Sequence, residues 1–183
     1  MGEGNGIMIK TIEIETPIGD MVAGATDEGV CLLEFSDRRM LPAEYKDLQR
    51  LLKTSFEEGE NMHLKQLGKQ LEEYFEGKRR EFSVPLVSPG SEFQQKVWLE
   101  LKKIPFGSTR TYQEQAVALN RPDSVRAVAN ANGMNRISII IPCHRVIGAD
   151  GHLTGYGGGL KRKRWLLDHE AKYSGKPVDQ LLF

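Results

Sequence analysis

The chain has 183 residues and a mass of 20.6 kDa, enough to bury a real core in one ordinary domain or two small ones. Its 25 Lys and Arg balance 25 Asp and Glu, so net charge alone selects no partner. Two cysteines, Cys31 and Cys143, exclude a disulfide framework and a four-ligand zinc site, and no apolar run is long enough to span a bilayer. With no signal-peptide pattern, a reducing, cytoplasmic location is expected. The charge is unevenly spread: residues 1–90 carry 11 basic against 17 acidic side chains, and residues 91–183 carry 14 against 8. Only the second half has the sign that phosphate contact requires.

In chain order, the leading Met-Gly-Glu-Gly-Asn-Gly reads as a disordered end. Ile12 and Ile14 alternate as a strand, Pro17-Ile18-Gly19-Asp20 is a turn signal, and Met21 to Thr26 with Val30 to Phe35 predict a hairpin about Asp27-Glu28-Gly29. Together these make a small antiparallel sheet, with Cys31 as a core thiol. Residues 43–57 are predicted helical, with Tyr45, Leu48, Leu52 and Phe56 on one face. Asn61 caps a second helix carrying a stripe of Leu64, Leu67, Leu71, Tyr74 and Phe75, which Gly77 ends. His63, near its start, is expected to face solvent. Phe82, Val84 and Leu86 alternate as a further strand, placed at an edge by Pro85.

Residues 87–90, Val-Ser-Pro-Gly, form a natural boundary. Ser91 with Gln94 has capping-box spacing and opens a helix through Phe93, Val97, Trp98, Leu101 and Ile104. Thr111 with Glu114 repeats the pattern and opens a short helix through Ala116, Val117 and Leu119. A third helix follows from Ser124 to Asn132, with Gly133 as its left-handed stop. Two short helices joined by a tight turn have helix-turn-helix form. Ala127, Ala129 and Ala131 on the second would let its backbone approach a narrow groove closely. Arg121 and Arg136 are expected to be surface or phosphate-binding residues, and Lys161 to Arg164 a solvated basic face.

Ile137 to Val146 reads I-S-I-I-I-P-C-H-R-V. The three isoleucines predict a buried strand that Pro142 ends, leaving Cys143 where the strand breaks off. Cysteine is often plain packing. Here His144 offers a base and Arg145 a fixed positive charge, both favouring a thiolate nucleophile. Adjacent residues in extended chain face opposite ways, so a proton passing from Cys143 to His144 needs a bridging water. The histidine then needs an orienting acid, with Asp168 and Glu170 the nearest downstream.

These residues carry a resemblance. Pro142-Cys143-His144-Arg145, with Gly155-Tyr156 downstream, Arg126-Ala127-Val128 upstream and Trp165-Leu166-Leu167 followed by Glu170, resembles the O6-alkylguanine-DNA alkyltransferases over most of residues 91–170. The expected architecture is α+β: a sheet-and-helix scaffold domain over 1–88, a mostly helical, winged-helix-like domain with a helix-turn-helix over 89–175, and a tail over 176–183. The resemblance implies double-stranded DNA carrying O6-alkylguanine as partner, with O4-alkylthymine a further candidate, and a monomer with no metal, organic cofactor or membrane. It implies that the helix bearing Arg126, Ala127, Ala129 and Asn130 enters the minor groove, Arg126 taking the stacking place of a flipped nucleotide. It further implies that Tyr112 protonates guanine N3 and that Asn135 ties the hinge to the active-site turn. In the substrate pocket, the carbonyls of Cys143 and Val146 would read the exocyclic amine, and Tyr156, Gly157 and Gly158 would form the facing wall.

On this reading His144, oriented by Glu170, deprotonates Cys143 through water. The thiolate then takes the alkyl carbon irreversibly, after extrusion of a base that is otherwise out of reach. Two departures stand out: Gly157, where many relatives carry serine or a larger residue, removes a donor and should widen the pocket, and Ser138 stands where some have proline. A cysteine hydrolase would use the same Cys143, His144 and Glu170 but turn over repeatedly, and a plain DNA-binding regulator would leave Cys143 as packing.

Overall fold

The computed structural model describes residues 8–175, so the expected leading segment and tail lie outside the described residues. Strands β1 (Ile9–Ile14), β2 (Met21–Ala25) and β3 (Val30–Phe35) form the expected antiparallel meander, with Ile12 opposite Ala23 and Ala23 opposite Leu33. A fourth strand, β4 (Phe56–Glu58), pairs parallel to β1, so the sheet is mixed, in the order β3-β2-β1-β4. This shortens the predicted 43–57 helix. α1 (Leu41–Leu52) stops where Lys53 turns left-handed at φ 51°, and Phe56 meets Tyr45 edge-on from the sheet.

α2 (Met62–Phe75) begins as expected, Asn61 Oδ1 accepting from the Leu64 amide, and buries Leu64, Leu67, Leu71 and Tyr74 against the sheet. His63 is half-buried rather than free, bonded to the Asp27 carbonyl in the β2–β3 turn. The strand expected at Phe82–Leu86 is a single bridge to Val30, because Pro85 offers only its carbonyl to the Val30 amide.

α3 (Glu92–Lys102) and α4 (Tyr112–Ala118) start with the predicted capping boxes; β5 (Arg110–Thr111) lies between them. α5 (Val125–Gly133) packs on both: Trp98 Nε1 donates to the Ala131 carbonyl, and Gln115 and Asn132 exchange buried amide hydrogen bonds at 2.7 and 2.8 Å. Gly133 remains inside the helix, which closes at Met134 without a left-handed residue.

The isoleucine run is not a strand. Ile137 bridges to Leu33, the Ile140 amide bonds to Ser138 and the Ile141 amide to Ile137, while Ile139 takes φ +73°. A left-handed β-branched residue costs about 1–3 kcal/mol and persists only where packing over-determines it. All three isoleucines are buried in the core, and the turn they make leaves Pro142 buried and brings Cys143 to its edge, half-buried. A 3₁₀ turn (Cys143–Arg145) follows, then β6 (Val146–Ile147) paired with β5, and α6 (Leu160–Ser174). One apolar core holds Met21, Leu33 and Tyr74 together with Val97, Ile141 and Leu166, and so runs across the 87–90 segment. Among the described residues no helix is long and apolar enough to cross a membrane.

Candidate active site

Cys143 sits half-buried at the start of the 3₁₀ turn, its amide bonded to the Ile141 carbonyl. The extended chain expected at Cys143-His144 is therefore replaced by a tight turn. Asn135 holds that turn from behind: its Nδ2 donates to the Ile141 carbonyl at 2.8 Å and reaches Cys143 Sγ at 3.4 Å, while its Oδ1 accepts from the Ile137 amide.

Glu170 is the centre of the buried network. Its Oε1 accepts from Arg145 Nε at 2.7 Å and the Gly107 amide at 3.2 Å, and its Oε2 from Tyr74 at 2.7 Å and Arg145 Nη2 at 3.1 Å. His144 Nε2 lies 2.7 Å from the same Oε2. Burial alone would raise the carboxyl pKa, but His144 and Arg145 hold it far below the usual carboxylate range. Burial pushes His144 down, so the ring is neutral at physiological pH. An ionised carboxylate only accepts, so the ring proton is assigned to Nε2 and the lone pair to Nδ1. That Nδ1 is buried with no hydrogen-bond partner among the described residues.

Arg145 also donates to the Ile104 carbonyl at 2.6 Å, so its charge serves Glu170 rather than the sulfur as expected. Burial raises the Cys143 thiol pKa, and the influences that lower it are the Asn135 hydrogen bond and the charges of Lys163 and Arg38. Lys163 corrects the solvated-face expectation. It is fully buried, its Nζ donates to the carbonyls of Thr154 and Gly155 at 3.0 and 3.3 Å, and burial brings its pKa down to about 8. Arg162 is likewise engaged, with Asp37 at 2.7 Å and over the Phe35 ring, and Arg164 pairs with Asp168, which is therefore not the orienting acid. Arg136, expected at the surface, is buried against Trp98 and donates to the Pro89 carbonyl; Arg121 is exposed over Phe93.

A cavity of about 790 Å³ opens over Cys143. Of the predicted residues, Tyr112, Arg126, Ala129, Tyr156 and Gly157 line it with the cysteine. Tyr112 donates to the Thr154 carbonyl at 2.9 Å. His144, Glu170 and Asn135 stand behind its floor, Ala127 and Asn130 lie exposed on α5 outside its walls, Val146 is fully buried in β6, and Gly158 packs against Phe35. Gly157 does not widen the pocket, because the Arg38 guanidinium fills the space behind it. Sequence reasoning passed over Gln113, Val125, Asn132, Ala149 and Thr154 in the lining, and Tyr74 behind it. Val125 and Asn132 follow from the helical phase of Ala129, four residues before and three after; nothing local marks Gln113 or Tyr74.

Residues 9–87 match the ribonuclease-like domain, and residues 92–172 the DNA binding domain, of 6-O-methylguanine DNA methyltransferase. A methylated-DNA–protein-cysteine methyltransferase of Methanosarcina barkeri is 41% identical over 160 residues, covering 86% of this chain and 94% of that protein. The chain belongs to the 6-O-methylguanine DNA methyltransferase family. Another family member, from Mycobacterium tuberculosis, is 54% identical over 114 residues, 62% of this chain and 68% of its own. The solved M. tuberculosis O6-methylguanine methyltransferase superposes with a TM-score of 0.75 at 39% identity over 94% of this chain and 96% of that one. The M. tuberculosis protein in complex with DNA gives 0.76 at 38% identity over the same shares. The family methyltransferases thus share the whole fold with this chain, sheet included.

Proposed function

We propose that this chain repairs DNA by moving an alkyl group from guanine O6 to Cys143, once per molecule. The observation that carries the reading is a sulfur at the floor of a cavity of about 790 Å³, roomy enough to admit an extruded nucleotide, backed by a neutral histidine whose free nitrogen is set by an ionised glutamate. DNA is the partner, as the family and the DNA complex of a relative support. α4 and α5 act as a helix-turn-helix, with α5 in the minor groove and its exposed Ala127 and Asn130 against the backbone. Arg126, on the cavity rim, fills the stack left by the extruded nucleotide.

The chemistry follows from the protonation states. His144 Nδ1 takes the Cys143 proton through a water. The sulfur lone pair forms the S–C bond as the C–O6 bond breaks, and the released electron pair passes into the guanine ring. Tyr112, whose own pKa is raised by burial, gives a proton to N3, and the restored base leaves. The backbone amide of Gly157, which lines the cavity, stabilises O6, and the Cys143 carbonyl meets the exocyclic amine; Val146 and Gly158 would have to come forward from behind the wall to join them. The thioether has no route back to a thiol, which limits the protein to one turnover. Residues 89–175 carry DNA binding and transfer, residues 1–88 support them, and the protein works as a monomer in the cytoplasm. Incubation with excess O6-methylguanine duplex should yield one restored guanine per protein and then stop; continued turnover would identify a hydrolase instead.

A further inference from the structure

Arg38 lies just beyond β3, in the turn that leads to α1. Its guanidinium is buried and meets four acceptors: Glu34 Oε2 at 2.5 Å, Glu44 Oε1 at 3.1 Å, the Asn135 carbonyl at 3.1 Å and the Gly133 carbonyl at 2.6 Å. Glu34, fully buried on β3, accepts from Ser138 Oγ with its other oxygen at 2.5 Å. One ion pair of the N-terminal sheet therefore grips Gly133, Asn135 and Ser138, the segment between α5 and the active-site turn. Asn135 is also the residue whose amide touches Cys143 Sγ.

The same guanidinium backs the cavity wall. A Cβ at Gly157 would lie 2.5 Å from Arg38 Cζ, 2.7 Å from Nε and 2.8 Å from Nη1, closer than any side chain tolerates. Gly157 has no left-handed φ, so the glycine is there for space and not for conformation. A planar fork with fixed donors suits this double duty where a lysine would not. A buried ion pair adds little net stability, so its value lies in the geometry it enforces.

We propose that Arg38 is a positioning residue for the alkyl-acceptor site, through which the sheet fixes the Asn135 hinge and whose guanidinium occupies the place a side chain at position 157 would take. The inference rests on transfer to Cys143 as proposed above, and makes the N-terminal half a determinant of reactivity rather than scaffold alone. The test is a double-mutant cycle in the full-length protein between Arg38→Ala and Gly157→Ser, the first made with Glu34→Gln and Glu44→Gln so that no carboxylate is left buried alone. Two rates are read at Cys143: labelling by an O6-methylguanine duplex and alkylation by iodoacetamide across pH. Each change alone should slow both rates by roughly 10- to 100-fold, the scale of a misplaced reacting group. Combined they should be no slower than the Arg38 variant, because the serine then has room. Multiplying effects, or a Gly157→Ser protein at wild-type rate, would overturn the proposal. Arg38→Lys keeps the charge without the fork; it should fold with a near wild-type melting temperature and still lose about tenfold in rate, and full activity would equally overturn it. Removing the Arg38 charge should also move the Cys143 iodoacetamide profile to higher pH, which a purely structural role would not do. A wild-type protein inert toward the duplex would reject the repair reading, while the iodoacetamide cycle would still decide the role of Arg38.

Discussion

Tyr74 and Glu170, 96 positions apart, meet at 2.7 Å in the closed interior, so a helix packed on the N-terminal sheet donates directly to the acid that orients His144. Hydrogen bonds to buried charges are worth about 1.5–3 kcal/mol, and Tyr74→Phe should lose that much in urea unfolding. Four donors remain on the carboxylate, so transfer should continue at a rate within roughly tenfold of wild type. An unchanged midpoint would show that the phenol does not reach the carboxylate in solution.

Acid should weaken the fold through His144 and Glu170. Both have folded pKa values below their ordinary ones, so unfolding takes up protons and stability falls as pH falls. The share from His144 is full above about pH 6.5, its ordinary pKa, and is lost progressively below it; the share from Glu170 is full above about 4.3 and lost below that. Melting temperatures between about pH 8 and pH 3 should therefore drop in two stages, and Glu170→Gln should remove the lower one. The same variant leaves Arg145 without its carboxylate and frees the imidazole tautomer, so transfer should slow by roughly 10²–10⁴.

Lys163 is a buried ammonium held by two carbonyls, one of the charges that favour the Cys143 thiolate. Lys163→Met should raise the pH at which the thiol reacts with iodoacetamide and slow transfer about tenfold, without a large loss of stability, because a desolvated charge is removed with it. A reactivity profile unmoved by the substitution would exclude Lys163 from tuning the sulfur.

The caps were legible because they are local: Asn61, Ser91 with Gln94, and Thr111 with Glu114 each announce a helix within four residues, and each forms the predicted bond. Cys143 and His144 were legible from their local setting, whereas Glu170 was separated from Asp168 only by the family resemblance. The isoleucine run misled because β-branched bulk favours a strand in general, whereas here the core needs the bulk and the site needs a turn, and Ile139 accepts φ +73° to give both. Phe56 fitted a helical stripe until Lys53 ended the helix. Lys163 was hidden inside a charge run in which one member in four turns fully inward. Tyr74 and Arg38 reach the active-site turn and its acid through contacts separated by about a hundred residues, which no local pattern carries.

Arg126 is exposed at the cavity rim, and the proposed function has it act only on duplex DNA. Arg126→Ala should slow repair of a duplex by roughly 10- to 100-fold, since the cost of unstacking a nucleotide is no longer offset, and leave alkylation by free O6-benzylguanine at the wild-type rate. Equal losses on both substrates would place Arg126 in the chemistry rather than in extrusion.

The alkyl group should end on Cys143. Incubating the protein with a duplex carrying isotopically labelled O6-methylguanine, followed by peptide mass analysis, should place one label on the peptide containing Cys143, on its sulfur, with none on Cys31. Label on any other residue, or methyl released to solvent with Cys143 unmodified, would contradict it.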